Sequence, residues 1–173
     1  MSNLTFIANP TKTISGNILV PGDKSISHRA IILSMLCEGN TKIYNLLESE
    51  DVRRTIDVST SLGLNIVTDH NYIEIKGLGI DGLSEPNTVL DFGNSGTSMR
   101  LFMGILASQK FNTTLTGDNS LLKRPMERVA APLRLMGANI STTNGNAPVT
   151  IEPSVSSLNG IDYKLNIPSA QIK

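Results

Sequence analysis

The chain has no tryptophan, and aromatic residues make up only 4% of its 173 positions. That is too few for the base-stacking platform of a single-strand nucleic-acid binder. Neither charge is in excess, since 15 Lys and Arg balance 15 Asp and Glu. Binders of long polyanions carry a basic surplus, so nucleic acid is disfavoured as a partner, whereas a small anionic metabolite needs only a few local cations. One cysteine, Cys37, excludes an internal disulfide framework and leaves a Cys-based zinc cluster short of ligands. The two histidines, His28 and His70, lie far apart without metal-ligand spacing. No apolar run approaches the ~20 residues that span a bilayer. The start, MSNLTFIANP, lacks the basic and apolar regions of a signal peptide. What remains is a globular protein with no expected membrane partner and an expected cytoplasmic location, long enough to bury a sizeable core.

What the chain does contain is organised around PGDKSISHR, Pro21 to Arg29. It follows the strand-like run Ile18-Leu19-Val20 and opens into an apolar segment, Ala30 to Leu36, that reads as a buried helix. A strand, a Gly-containing turn and a helix start aim free backbone N–H groups at an anion. Lys24, Arg29, Ser25 and Ser27 add an ammonium, a guanidinium and two hydroxyls.

Turn signals and periodicity predict strands over 4–7 and 17–20, then a helix over 27–37 stopped at Gly39-Asn40. A strand over 41–45 follows. Ser49, with Glu50 and Asp51 behind it, is the expected cap of a helix reaching Leu62 and ended by Gly63. Residues 65–68 and 72–76 alternate as a hairpin. A second pass starts near Thr88: FGNSGTSMR, an apolar run 101–107, and a strand over 112–116. After the loop GDNSLLKR, Pro125 suits the first turn of a helix running to Met136. A hairpin around Asn144-Gly145 closes the pass.

The two passes superpose. Arg29 and Arg100 are 71 apart, in step with Ser27 and Ser98 and with Gly22 and Gly93. Leu62-Gly63 and Met136-Gly137 are 74 apart, each followed by Asn-Ile. This is an internal repeat of βαβαββ type, too long for a common solenoid unit. LNIPSAQIK, Leu165 to Lys173, reads as the opening strand and loop of a third copy. Two units alone leave helix faces uncovered, so a fragment of a longer protein is expected. The repeated loops should gather on one face, pooling Lys24, Arg29, Arg100, Lys123, Arg124, Arg128 and Lys173. Arg suits bidentate grip on phosphate or carboxylate, and Lys suits charge neutralisation and proton transfer.

The runs PGDKSISHRA, GNSGTSMRL, LTGDNSLLKRPM and PSAQIK resemble the 5-enolpyruvylshikimate-3-phosphate synthase family, in the family's order and from residue 21 to the last. The resemblance implies an α/β fold of the inside-out barrel type, two domains of three βαβαββ units each, with the active site between them. Residues 1–20 would then belong with the second domain. Residues 21–173 would form an incomplete first domain, with repeats at about 15–80 and 86–155 and a third beginning at about 161–173. It also implies transfer of enolpyruvyl from phosphoenolpyruvate to the 5-hydroxyl of shikimate 3-phosphate, in aromatic amino-acid biosynthesis, with no cofactor and no metal. The full-length enzyme is expected to be a monomer, its missing second domain being the partner of this part.

By the same resemblance Lys24, the expected catalytic residue, and Ser25 contact the substrates, and Arg29 holds the shikimate carboxylate. Asn94, Gly96 and Thr97 line the phosphoenolpyruvate phosphate pocket, where glyphosate also binds in the family, and Arg124 clamps that substrate. Ser169, Ala170 and Gln171 match the loop for the 3-phosphate, with Ala170 replacing a second serine. The remaining catalytic groups of the family would lie beyond residue 173, so this chain alone is expected to bind but not to turn over. Two rivals are the sister transferase acting on UDP-N-acetylglucosamine, which DKSISHR and SAQIK disfavour, and a non-catalytic anion-binding module. His28 reads as a structural hydrogen-bonder, because Met99 fills its place in the second pass. Cys37 and Met99, Met103, Met126 and Met136 read as helix core, and Arg53-Arg54 as a solvated face.

Overall fold

The structure, a computed structural model, describes residues 5–165 and 169–172. Repeat one contributes α1 (Lys24–Leu36), β1 (Glu38–Tyr44), α2 (Glu50–Ser61), β2 (Asn65–Thr68) and β3 (Tyr72–Leu78). Asp23 and Ser49 start the two helices, each accepting the backbone N–H three residues on, Ile26 and Val52. The strands form an antiparallel sheet in the order β1-β3-β2, with Tyr44 opposite Tyr72 and Ile66 opposite Ile75. On β3, Ile73 and Ile75 point inward and meet Ile31 and Met35 of α1 in the same core.

Repeat two contributes β4 (Leu90–Asp91), α3 (Gly96–Leu106), β5 (Thr113–Thr116), a 3-10 turn (Leu121–Lys123), α4 (Glu127–Leu135), β6 (Asn139–Thr143) and β7 (Asn146–Glu152). Its sheet has four strands in the order β4-β5-β7-β6, β4 lying parallel to β5 and the rest antiparallel. The βαβαββ order is therefore complete here. Phe92, Phe102, Met103, Leu106 and Leu115 are buried together, with the Phe92 and Phe102 rings 5.5 Å apart and tilted. Both repeats share one hydrophobic core.

Several expectations change. The described residues before Pro21 form no strand, so repeat one lacks its leading strand; of the predicted 4–7 strand, Leu4 lies outside the described residues. Helix α1 begins at Lys24, three residues before the predicted start at 27, because Asp23 supplies the cap. Gly39 and Asn40 belong to β1, the chain turning directly from helix to strand at Cys37. Cys37 is consequently exposed instead of core. Pro125 does not open a helix. It bridges Asn146, and α4 starts at Glu127. Met99, Met103 and Met126 are fully buried, while Met136 caps the end of α4 half-buried. The expected third-repeat strand falls on residues that include 166–168 and 173, outside the described ones. Among the described residues, no helix is long and apolar enough to cross a membrane.

Candidate anion-binding site

The first set of nominated residues sits on the opening turn of α1. Lys24 and Ser25 are exposed there, beside backbone N–H groups that have no helical partner. The Lys24 ammonium meets Asp51 Oδ2 at 2.9 Å, across from the first turn of α2. Both side chains are partly open to solvent, so this pair adds at most about 1 kcal/mol to stability. Its consequence is chemical, since it places a carboxylate against the ammonium of the expected catalytic residue. Asp51 is a site residue that sequence reasoning assigned only to a helix start. A carboxylate in that position is legible in sequence, but its pairing across 27 residues is not.

Arg29, half-buried, donates to the Ser25 carbonyl at 3.3 Å within its own helix. Ser27 is not an anion ligand here. It is buried, donates to the Asp23 carbonyl at 2.8 Å, and accepts the Leu47 N–H at 3.0 Å, pinning the loop after β1 to the helix start.

The second set forms a connected network. Asn94 donates to Asp118 Oδ2 at 2.8 Å and accepts from the Arg124 guanidinium. Asp118 also accepts the Ser120 and Leu121 N–H groups, at 2.9 and 2.8 Å. The Asn94 amide foremost, and then the Leu121 N–H, hold its carboxyl below the usual carboxylate range. Arg100, only 8% exposed, donates to Gln171 Oε1 at 3.0 Å and to the Pro125 carbonyl at 3.2 Å. Gln171 in turn donates to Thr97 Oγ1 at 3.1 Å, and its N–H to Ser169 Oγ at 3.3 Å. Ala170, between them, is exposed. The segment 169–171 thus closes onto the first turns of α3.

Gly96 lies at the centre of this network. A methyl group built on it would come within 3.1 Å of an Arg124 guanidinium nitrogen and 3.3 Å of one from Arg100. Burial, followed by the neighbouring charges of Arg128 and Arg124, weakens the hold of Arg100 on its proton. Like charges gathered this closely are relieved by an anion among them. Phosphate or carboxylate is the matching chemistry. Lys123 and Arg128 stand exposed nearby in sequence; Lys173 lies outside the described residues.

Arg54, expected as solvated surface, instead reaches Asp91 at 3.6 Å and packs against Gly93, joining α2 to the second loop. The two sets are also joined internally. His28 Nδ1 lies 2.7 Å from Thr55 Oγ1, which lies 2.8 Å from Ser98 Oγ. A groove of about 680 Å³ between the loop after β1 and the β2–β3 turn is lined by none of the nominated residues. Among the described residues no cluster of His, Cys, Asp and Glu suits a metal ion.

The family model for EPSP synthase (3-phosphoshikimate 1-carboxyvinyltransferase) matches residues 8–173. A 3-phosphoshikimate 1-carboxyvinyltransferase of Oceanobacillus iheyensis is 52% identical over 163 residues, covering 93% of this chain and 38% of that protein. The protein of the same name from Ruthia magnifica subsp. Calyptogena magnifica is 50% identical over 168 residues, covering 97% of this chain and 38% of that one. In structure, EPSP synthase from Acinetobacter baumannii superposes with a TM-score of 0.87 at 48% identity, over 91% of this chain and 36% of that chain. Family match, identity and superposition agree: the chain, spanning less than two fifths of the length of these relatives, belongs to the EPSP synthase family.

Proposed function

We propose that this chain forms the substrate-gripping part of an enzyme that moves the enolpyruvyl group of phosphoenolpyruvate onto the 5-hydroxyl of shikimate 3-phosphate. The observation that carries this reading is the pair of guanidinium groups, Arg100 and Arg124, beside Gly96, with Arg100 under the charge of Arg128 and tied to Gln171. Two phosphates and two carboxylates must be held close together in this reaction, which only a dense set of cations can stabilise. In our reading Arg29 holds the shikimate carboxylate and Ser169, Ala170 and Gln171 the 3-phosphate. Asn94, Gly96, Thr97 and Arg124 hold phosphoenolpyruvate, and Lys24 and Ser25 contact both substrates.

Chemically, a proton is added to the methylene carbon of phosphoenolpyruvate, and C2 becomes electrophilic. The 5-hydroxyl adds to C2 and gives up its proton, forming a tetrahedral ketal. A methyl proton is then lost as the C–O bond to phosphate breaks, which restores the double bond and releases inorganic phosphate. In this reading the Lys24 ammonium, which pairs with Asp51, serves one of these proton transfers. No metal or cofactor is needed in this scheme.

The same reading divides the protein. Residues 1–20 go with a second domain and 21–173 with a first, whose repeats lie at about 15–80, 86–155 and 161–173. The rest of the protein is then the partner that completes the site, and the whole acts as a cytoplasmic monomer. Calorimetry with shikimate 3-phosphate and a phosphate-release assay test this, on the chain alone and mixed with the remainder. Binding alone, with turnover only in the mixture, is the expected result. Turnover by these 173 residues alone would refute the division of labour.

A further inference from the structure

His28 is wholly buried on α1, one residue before Arg29 and one turn after Lys24. Its Nδ1 engages Thr55 of α2, one turn after Asp51, and Thr55 engages Ser98 of α3, the neighbour of Thr97. Thr55 and Ser98 are also fully buried. Three helices that each carry site residues at their opening turns are thus linked by one imidazole and two hydroxyls. Within α2 the Thr55 hydroxyl also donates to the carbonyl of Asp51, the residue that holds Lys24, at 3.3 Å. Among the described residues, His28 Nε2 has no hydrogen-bond partner.

We infer that His28 is a positioning residue, whose neutral imidazole, acting through Thr55 and Ser98, sets the opening turns of α1, α2 and α3 at the spacing the anion-binding face requires. The charged groups that face it are Lys24 and Arg29 from α1 and Asp51 from α2. From α3 the facing group is the Ser98 hydroxyl, reached through Thr55. The link can be made only with the ring uncharged at low cost: a second N–H at Nε2 would carry charge into a buried position with nothing to receive it. Burial foremost lowers the affinity of this ring for a proton, outweighing the attraction of Asp51. Acid should therefore loosen the three turns before the fold itself is lost.

Anion affinity rests on the function proposed above, so the test has one arm that needs no ligand. Imidazole nitrogen NMR of the wild-type chain reads His28 directly, with N-acetylhistidine amide in the same buffer as the exposed reference. The expected result is a His28 ring that stays neutral as the reference protonates, with its Nδ1 signal displaced by the Thr55 bond. A His28 ring that titrates with the reference would overturn the inference, whatever the ligand does. In the binding arm, Thr55→Val should weaken shikimate 3-phosphate by about tenfold, the worth of a buried hydrogen bond. Thr55→Ser, which keeps the hydroxyl, should stay within about twofold. Wild-type-like binding by Thr55→Val would also overturn it. As pH drops through the His28 titration that NMR reads, the ratio of wild-type to His28→Asn affinity should fall, the ligand's own phosphate titration cancelling in that ratio. A flat ratio would count against the positioning role. No binding by the wild-type chain, with the NMR result as expected, would remove the function reading and leave the helix link standing.

Discussion

The two repeats were built from one plan, and they differ at their first strand. In repeat two, Leu90 lies in β4, opposite Leu115 and 1% exposed. The residue 71 positions earlier, Leu19, is fully exposed, and Ile18 and Val20 are exposed with it. The two repeats also differ just after this position. The Phe92 N–H donates to the Thr116 carbonyl at 2.9 Å, and the Gly93 N–H to Asp91 Oδ1 at 2.8 Å. In repeat one these positions are Pro21 and Val20. Proline has no N–H to begin the ladder, and valine has no carboxylate to hold the turn. Matching apolar patterns thus yield a strand in one place and an undocked segment in the other.

The largest test of this contrast is a pair of truncations. Leu90→Ala should lose about 2–5 kcal/mol of unfolding free energy, and Leu19→Ala should stay within about 0.5 kcal/mol. Chemical denaturation measures both, and equal losses would show that the 17–20 segment is packed after all. Next in size, Gly93→Ala should cost about 1–3 kcal/mol. Its φ of 54° is unfavourable for a side chain, and the added methyl would sit 2.9 Å from Arg54 Nε. Asp91→Val, which gives repeat two the residue of repeat one, should cost about 1–2 kcal/mol by stranding the Gly93 N–H. Retained stability in Asp91→Val would separate the turn from the strand.

The smallest effect concerns binding more than folding. Gly96→Ala should weaken phosphoenolpyruvate several-fold by calorimetry while the melting temperature hardly moves. The methyl group would press on the flexible tips of Arg124 and Arg100, not on backbone. A pH scan completes the series. Because the native pKa of His28 lies below its ordinary value of 6.5, the unfolded chain takes up the proton first. Stability should therefore fall as pH drops from about 6.5 toward the native value and level off below it. His28→Asn should remove that slope.

Much of the second repeat was legible in sequence, because each signal there is local. Asn144-Gly145 joins β6 to β7, and Gly137 follows α4, where turn chemistry says they should. The nominated Asn94, Gly96, Thr97, Arg124 and Gln171 do come together. Ser27 misled, because a hydroxyl at a helix start serves an anion or its own loop equally well until the Leu47 N–H is placed. Cys37 misled because an apolar stripe says nothing of the residue at which the helix gives way to strand.

The sequence by itself determined the caps of α1 and α2, the two hairpins and the presence of cations in the strand-to-helix loops, all of which follow from neighbours a few residues apart. Only the tertiary structure decided that Asp51 answers Lys24, that Arg54 reaches Asp91, and that His28, Thr55 and Ser98 join three helices. Those contacts span 27 to 43 residues along the chain. Chain closure over such distances is won by burial of the common core, and no local preference encodes it.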